Sequence, residues 1–145
     1  MKNFYTASHL IKYIKCNHII SNEFNEKSLR LKRNSRTIAD ELRLEKGLLH
    51  EAWYFGELKK KYSKVKDIKK LKGLSKEEKI KETIKALKDG YELIYGGWLK
   101  SGNWSGELDF LEINKKVKSD LGSWSYEIKM CHKLLLFLLH ALIYL

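Results

Sequence analysis

A chain of 145 residues with a 43% hydrophobic fraction and 12% aromatics carries enough apolar material for one cored domain, which excludes a disordered tail. Its 29 Lys and Arg against 18 Asp and Glu leave a net charge of +11, which attracts polyanions, whether nucleic acid or an anionic membrane surface. Cys16 and Cys131 stand far apart and give neither a disulfide framework nor a zinc motif; the N-terminus lacks the apolar core of a signal peptide, so a reducing cytoplasm is expected.

Residues 8–20 read as a short helix, because Leu10, Ile11, Ile14 and His18 recur at helical spacing, with Thr6 or Ser8 as the N-cap. Residues 21–36 are polar and basic and bring Arg30, Lys32, Arg33 and Arg36 together. A long helix is expected from about Thr37 to Lys61, with Ile38, Leu42, Leu49, Trp53 and Leu58 as its apolar stripe, interrupted by Gly47. Lys59, Lys60 and Lys61 then open a second basic segment that runs to Lys72. Within it Val65, Ile68 and Leu71 fall every three residues, a spacing that fits a short strand and a helical turn equally. Ser75-Lys76-Glu77-Glu78 is a capping box. It opens a helix whose buried stripe is Ile80, Ile84 and Leu87, and Gly90 supplies its stop.

After Gly90 the period changes. Tyr91 to Leu99 is rich in aromatic and branched residues, Lys100 to Asn103 is a turn, and Trp104 to Ile113 reads as a second strand. A polar loop leads to a third strand, Trp124 to Lys129. The last 12 residues, Leu134 to Leu145, are almost wholly apolar but too short for a bilayer span, which takes about 20 residues. They read as a buried helix across the strands, or as a segment whose continuation is missing. The expected class is α/β: N-terminal helices, then an antiparallel strand run, then a C-terminal apolar helix.

Three strand-borne polar groups carry the candidate chemistry. Strand alternation puts Leu108 and Phe110 on one face and Glu107 and Asp109 on the other, and Asp109 interrupts an apolar stretch. Glu127 and Lys129 are two apart and share a face. If the strands pair as a hairpin, Asp109 and Glu127 can lie side by side, an arrangement that favours a hard divalent cation between them. Lys129 would then stabilise charge growing on a phosphate. By spacing alone the ordinary reading is a solvated hairpin face with a Glu127–Lys129 surface ion pair.

The segments Lys46-Gly47-Leu48-Leu49-His50-Glu51, Gly106-Glu107-Leu108-Asp109 and Tyr126-Glu127-Ile128-Lys129 resemble, in order and spacing, the His, Gly-x-x-Asp and Glu/Asp-x-Lys motifs of RecB-like nucleases of the PD-(D/E)XK superfamily. The stretches Thr6 to Leu10, Lys15 to His18, Tyr91 to Tyr95 and Gly122 to Glu127 resemble one branch of that family, often fused to helicases. The resemblance spans most of residues 4–129. It implies a restriction-endonuclease-like core and phosphodiester hydrolysis assisted by Mg2+ or Mn2+. His50, Asp109 and Glu127 would be metal ligands, Lys129 the catalytic lysine, DNA the substrate and a helicase a partner. Glu51, one position on from His50, points to a different side of a helix and is left out of the set.

The chain also departs from that branch. Its third strand typically runs on through Asp-x-Lys-Leu-Ala and then into a helix with Gln-x-x-x-Tyr, whereas Lys129 is followed here by Met130-Cys131-His132-Lys133-Leu134. The pattern is that of a single, incomplete domain, truncated or frameshifted after Lys129, with activity reduced or lost. Where the branch commonly has glutamine, this chain has Gly96. Some RecB-like nucleases hold an iron–sulfur cluster on one early and three late cysteines. Cys131 alone does not supply the late set, so no cluster is expected and Cys16 reads as a packed thiol. The alternative function is a non-catalytic nucleic-acid-binding module that needs only the basic clusters at Arg30 to Arg36 (Arg30, Lys32, Arg33, Arg36) and Lys59 to Lys72 (Lys59, Lys60 and Lys61 first), interleaved with Tyr and Trp.

Overall fold

In the computed structural model, which describes residues 5–26, 28–30 and 34–130, each helix opens on a side-chain cap or a sharp change of backbone. Thr6 caps α1 (Ala7–Lys15), accepting the His9 N–H while His9 Nδ1 accepts the Thr6 N–H. The expected single helix over 8–20 is broken at Cys16, whose extended backbone (φ −168°, ψ 115°) separates α1 from α2 (Asn17–Phe24). Ile14 is exposed and Cys16 is an exposed free thiol, so the predicted stripe and the packed thiol are both corrected. A reciprocal cap between Thr37 and Asp40 starts α3 (Ile38–Lys59), and the predicted Ser75–Glu78 box starts α4 (Lys76–Lys88).

The sheet has the order β1-β2-β3-β4, with β1 Val65–Asp67, β2 Leu93–Ser101, β3 Trp104–Asn114 and β4 Ser125–Lys129. The three predicted strands form an antiparallel meander, and the undecided segment around Val65 is an edge strand parallel to β2. The α/β class with helices ahead of an antiparallel run therefore holds. The predicted C-terminal apolar helix lies outside the described residues. Among the described residues, no helix is long and apolar enough to cross a membrane.

Two clusters make the core, one on each face of the sheet. Leu93 and Ile94, adjacent on β2, point opposite ways: Leu93 packs with Phe55, Leu58 and Phe110, and Ile94 with Ala86, Leu108, Leu111 and Ile128. So α3 covers one face and α4 the other. The buried residues of α4 are Thr83 and Ala86; Ile84 is 41% exposed, and Ile80 and Leu87 are only half-buried. The expected stripe is rotated because small residues let the helix come close: a Cβ on Gly97 would lie 3.1 Å from Thr83 Cγ2. Thr83 Oγ1 accepts the Trp98 N–H at 2.9 Å and donates to the Lys79 carbonyl at 2.8 Å, which satisfies this fully buried hydroxyl.

The α3 stripe is also corrected. Ile38, Leu42, Leu49 and Trp53 are between 51% and 77% exposed, and the residues that reach the sheet are Phe55 and Leu58, near the end of the helix. There Phe55 stacks on Tyr95 at 4.1 Å between centroids, and Phe110 packs against Tyr95 at 5.2 Å and Tyr54 at 5.3 Å.

The strand alternation fails at one place. Leu108 and Leu111, three apart, both join the α4 cluster, while Phe110 joins the α3 cluster. Leu108 and Phe110 therefore point to opposite faces, against the expected alternation. The ladder pairs Tyr95 with Phe110 and Gly97 with Leu108 but skips Gly96 and Asp109 between them. Gly96 has φ +67°, a left-handed conformation that costs a side-chain-bearing residue about 1–2 kcal/mol. This kink turns both strands over, as β2 shows too, with Ile94 and Leu99, five apart, facing the same cluster. Asp109 sits half-buried at the switch.

Candidate functional site

The β3–β4 register fixes where the motif residues lie. Glu127 stands opposite Glu112, Ile128 opposite Leu111 and Lys129 opposite Phe110. Asp109 is thus three residues along from Glu127's partner, and the expected side-by-side pair of Asp109 and Glu127 does not form. Directly paired residues share a face, so Glu112, Glu127 and Lys129 lie on the face that α3 covers, with Leu93 and Phe110. Lys129 Nζ donates to Glu127 Oε2 at 3.1 Å, with the two side chains 43% and 49% exposed. That hydrogen bond holds the lysine above its ordinary value. Asn114 Nδ2 also donates to Glu127, at 2.7 Å, and Tyr62 Oη donates to Glu112 at 3.2 Å. Burial, helped by the Glu112 carboxylate, raises the Tyr62 hydroxyl.

His50 is exposed on α3, its ring stacked on Trp53 with centroids 5.9 Å apart. Its neighbour Glu51, left out of the sequence-derived set, is the residue that turns onto the sheet. Its side chain is only 13% exposed and pairs with Lys69, just past β1. Lys69 Nζ also lies 3.5 Å from Glu107 of β3 and 4.9 Å above the Tyr95 ring. Partial burial works against the Lys69 charge, but the hydrogen bond and charge of Glu51, with Glu107, outweigh it and hold the ammonium well above the ordinary lysine range. Burial and the Glu51 carboxylate push the Tyr95 hydroxyl up to about 12. The Lys69 stem lies in the space that Gly96 leaves open, since a Cβ there would overlap its Cγ and lie 3.2 Å from Cδ. The signal for Glu51 was in the sequence: Glu51, Phe55 and Leu58 form their own i, i+4, i+7 stripe.

Among the described residues, no three His, Cys, Asp or Glu side chains gather as a metal-binding group. His50, Asp109 and Glu127 as arranged do not make one. Glu51 and Glu107 converge on the Lys69 ammonium, and the facing pair Glu112 and Glu127 lies beside Lys129.

Of the basic residues, Arg30 and Arg36 are exposed, and Arg30 has a positive φ of 51°. Lys32 and Arg33 lie outside the described residues. Lys59 Nζ sits 4.6 Å over the Phe55 ring, Lys60 pairs with Glu57 at 2.6 Å, and Lys61 is exposed at the end of α3. A separate carboxylate, Glu92, is structural. It accepts from Lys115 Nζ at 2.9 Å and from the Ser63 hydroxyl and N–H, which together hold it down to about 2 and tie the entry to β1 to the loop after β3.

Comparison with protein-family models, with curated proteins and with solved structures finds no match to the chain.

Proposed function

We propose that the chain is a divalent-metal-dependent DNA nuclease domain on a restriction-endonuclease-like plan. What supports the reading is the order of its motif-bearing elements: α3, then the paired strands β3 and β4, whose register sets Lys129 across from Phe110, the neighbour of Asp109. A bound Mg2+ or Mn2+ would supply a Lewis acid for phosphodiester hydrolysis. Since His50 and Glu127 do not converge with Asp109, the reading rests on Asp109 as a hard oxygen ligand and Lys129 as the cation beside the phosphate. A helicase partner belongs to the same proposal. The test is incubation of the full chain with single- and double-stranded DNA, each with Mn2+ and with Mg2+. Cleavage by the wild type that is lost in both Asp109→Ala and Lys129→Ala is the expected result. A wild type that cleaves neither substrate with either metal contradicts the enzymatic reading.

A second reading, a non-catalytic nucleic-acid-binding module, is favoured by the Glu127–Lys129 ion pair, which commits the lysine to its own strand. The exposed Arg30, Arg36 and Lys61 supply the phosphate contacts it needs. Its mark is DNA binding that weakens steeply with salt and is indifferent to EDTA and to Asp109→Ala.

A further inference from the structure

We propose that the cavity between α1, α2 and the β2–β3 hairpin is a pocket for one unstacked nucleobase of a single strand; the proposal rests on the nucleic-acid reading above. The cavity measures about 290 Å³ and is lined by Tyr5, Leu10, Tyr13, Ile20, Asn103 and Trp104, with His9 at its side. That volume is at the small end of ligand cavities, which run about 300–1,000 Å³. It suits a single ring system and is too small for a peptide helix.

The pocket is built by the chain's entry into the fold. The Tyr5 N–H donates to the Asn103 carbonyl at 2.8 Å, and the Tyr5 carbonyl accepts the Ser105 N–H at 2.9 Å, so Tyr5 runs alongside the hairpin as a parallel bridge to Trp104. The Tyr5 ring is held between Phe24, edge-on at 5.6 Å, and Trp104 at 5.5 Å. One aromatic wall is therefore fixed before any ligand arrives, which lowers the cost of binding. Tyr13 is 58% exposed and has no ring partner among the described residues, which leaves its face open for stacking.

The remaining chemistry also fits a base. The cavity wall is almost wholly apolar, with Asn103 of the hairpin turn at its edge, which suits the flat face of a base. Lys15 is exposed in the last turn of α1, whereas Lys12 beside it is paired with Glu23 at 2.5 Å; the attraction for a strand therefore comes from the chain's net charge of +11. Aromatic walls on a basic protein are how single strands are held, because every base presents a π-face and every linkage a negative charge.

The experiment compares binding of a short oligothymidylate with an abasic strand of the same length, using the full chain and its Tyr13→Ala and Trp104→Ala variants. The expected result is that the wild type prefers the base-bearing strand about tenfold, and that each variant falls to the abasic level. Tyr13 is 58% exposed, against 36% for Trp104, so Tyr13→Ala disturbs the fold less and keeps the test decisive if Trp104→Ala does not fold. Equal binding of both strands by the wild type, or an unchanged preference in Tyr13→Ala, overturns the pocket and leaves the nucleic-acid reading standing on its phosphate contacts, with the cavity left to an apolar ligand. Binding of neither strand overturns both.

Discussion

Phe110→Ala is expected to lower the unfolding free energy by about 3–5 kcal/mol, read as a fall in denaturant midpoint at unchanged slope. Phe110 is completely buried in the middle strand of the meander and joins rings from α3 and β2: Tyr54, Phe55 and Tyr95. Removing it opens a cavity that the backbone ladder on both sides keeps from collapsing. Trp53→Ala, on the same helix as Phe55 but on the exposed side, is the matched control and should change stability by no more than about 0.5 kcal/mol. A larger loss from Trp53→Ala than from Phe110→Ala would mean that α3 meets the sheet through the stripe Ile38, Leu42, Leu49 and Trp53 after all.

Gly96→Ala should cost about 2–5 kcal/mol, far more than an ordinary surface substitution. Strain at φ +67° contributes about 1–2 kcal/mol, and overpacking against the Lys69 stem about 1–3 kcal/mol. Lys69 cannot simply swing aside, because Glu51 and Glu107 hold its ammonium. The two contributions separate in a double-mutant cycle. In a Lys69→Ala background the overlap is gone, so Gly96→Ala should cost only the backbone part, about 1–2 kcal/mol. Equal costs in both backgrounds would show that the lysine stem does not occupy the space Gly96 leaves.

These two positions also mark what was legible in the sequence. Composition and period gave the α/β class, the Ser75 cap, and the three strands from Tyr91 to Lys129, whose observed ends differ by a few residues. Periodicity failed where contact residues are small or the stripe is short. Thr83 and Ala86 of α4 bury themselves because that helix comes close to the sheet at Gly97, Phe55 and Leu58 of α3 because only the end of that helix reaches the sheet, and longer apolar runs on the same helices stay outside. Alternation failed at Asp109 because its cause, a left-handed Gly96, sits on the neighbouring strand, and the pairing of two strands is not written in either one.

The candidate site was legible in part. The Glu127–Lys129 pair on one face follows from a spacing of two. The register that puts Glu112, and not Asp109, opposite Glu127 depends on the loop from Lys115 to Trp124, whose length does not fix the pairing. The motif points to His50, whereas the side of α3 that faces the sheet is decided by Phe55 and Leu58, and that side carries Glu51. The Glu51–Lys69–Glu107 network joins α3, the turn after β1, and β3. No single segment announces it.

Titrating Mn2+ into the full chain, with free ion followed by electron paramagnetic resonance, tests whether Asp109 belongs to a metal site. The nuclease account predicts a saturable bound fraction in the wild type that disappears in Asp109→Ala, with far-ultraviolet circular dichroism unchanged. No bound Mn2+ in a folded wild type, or the same binding in Asp109→Ala, would contradict it.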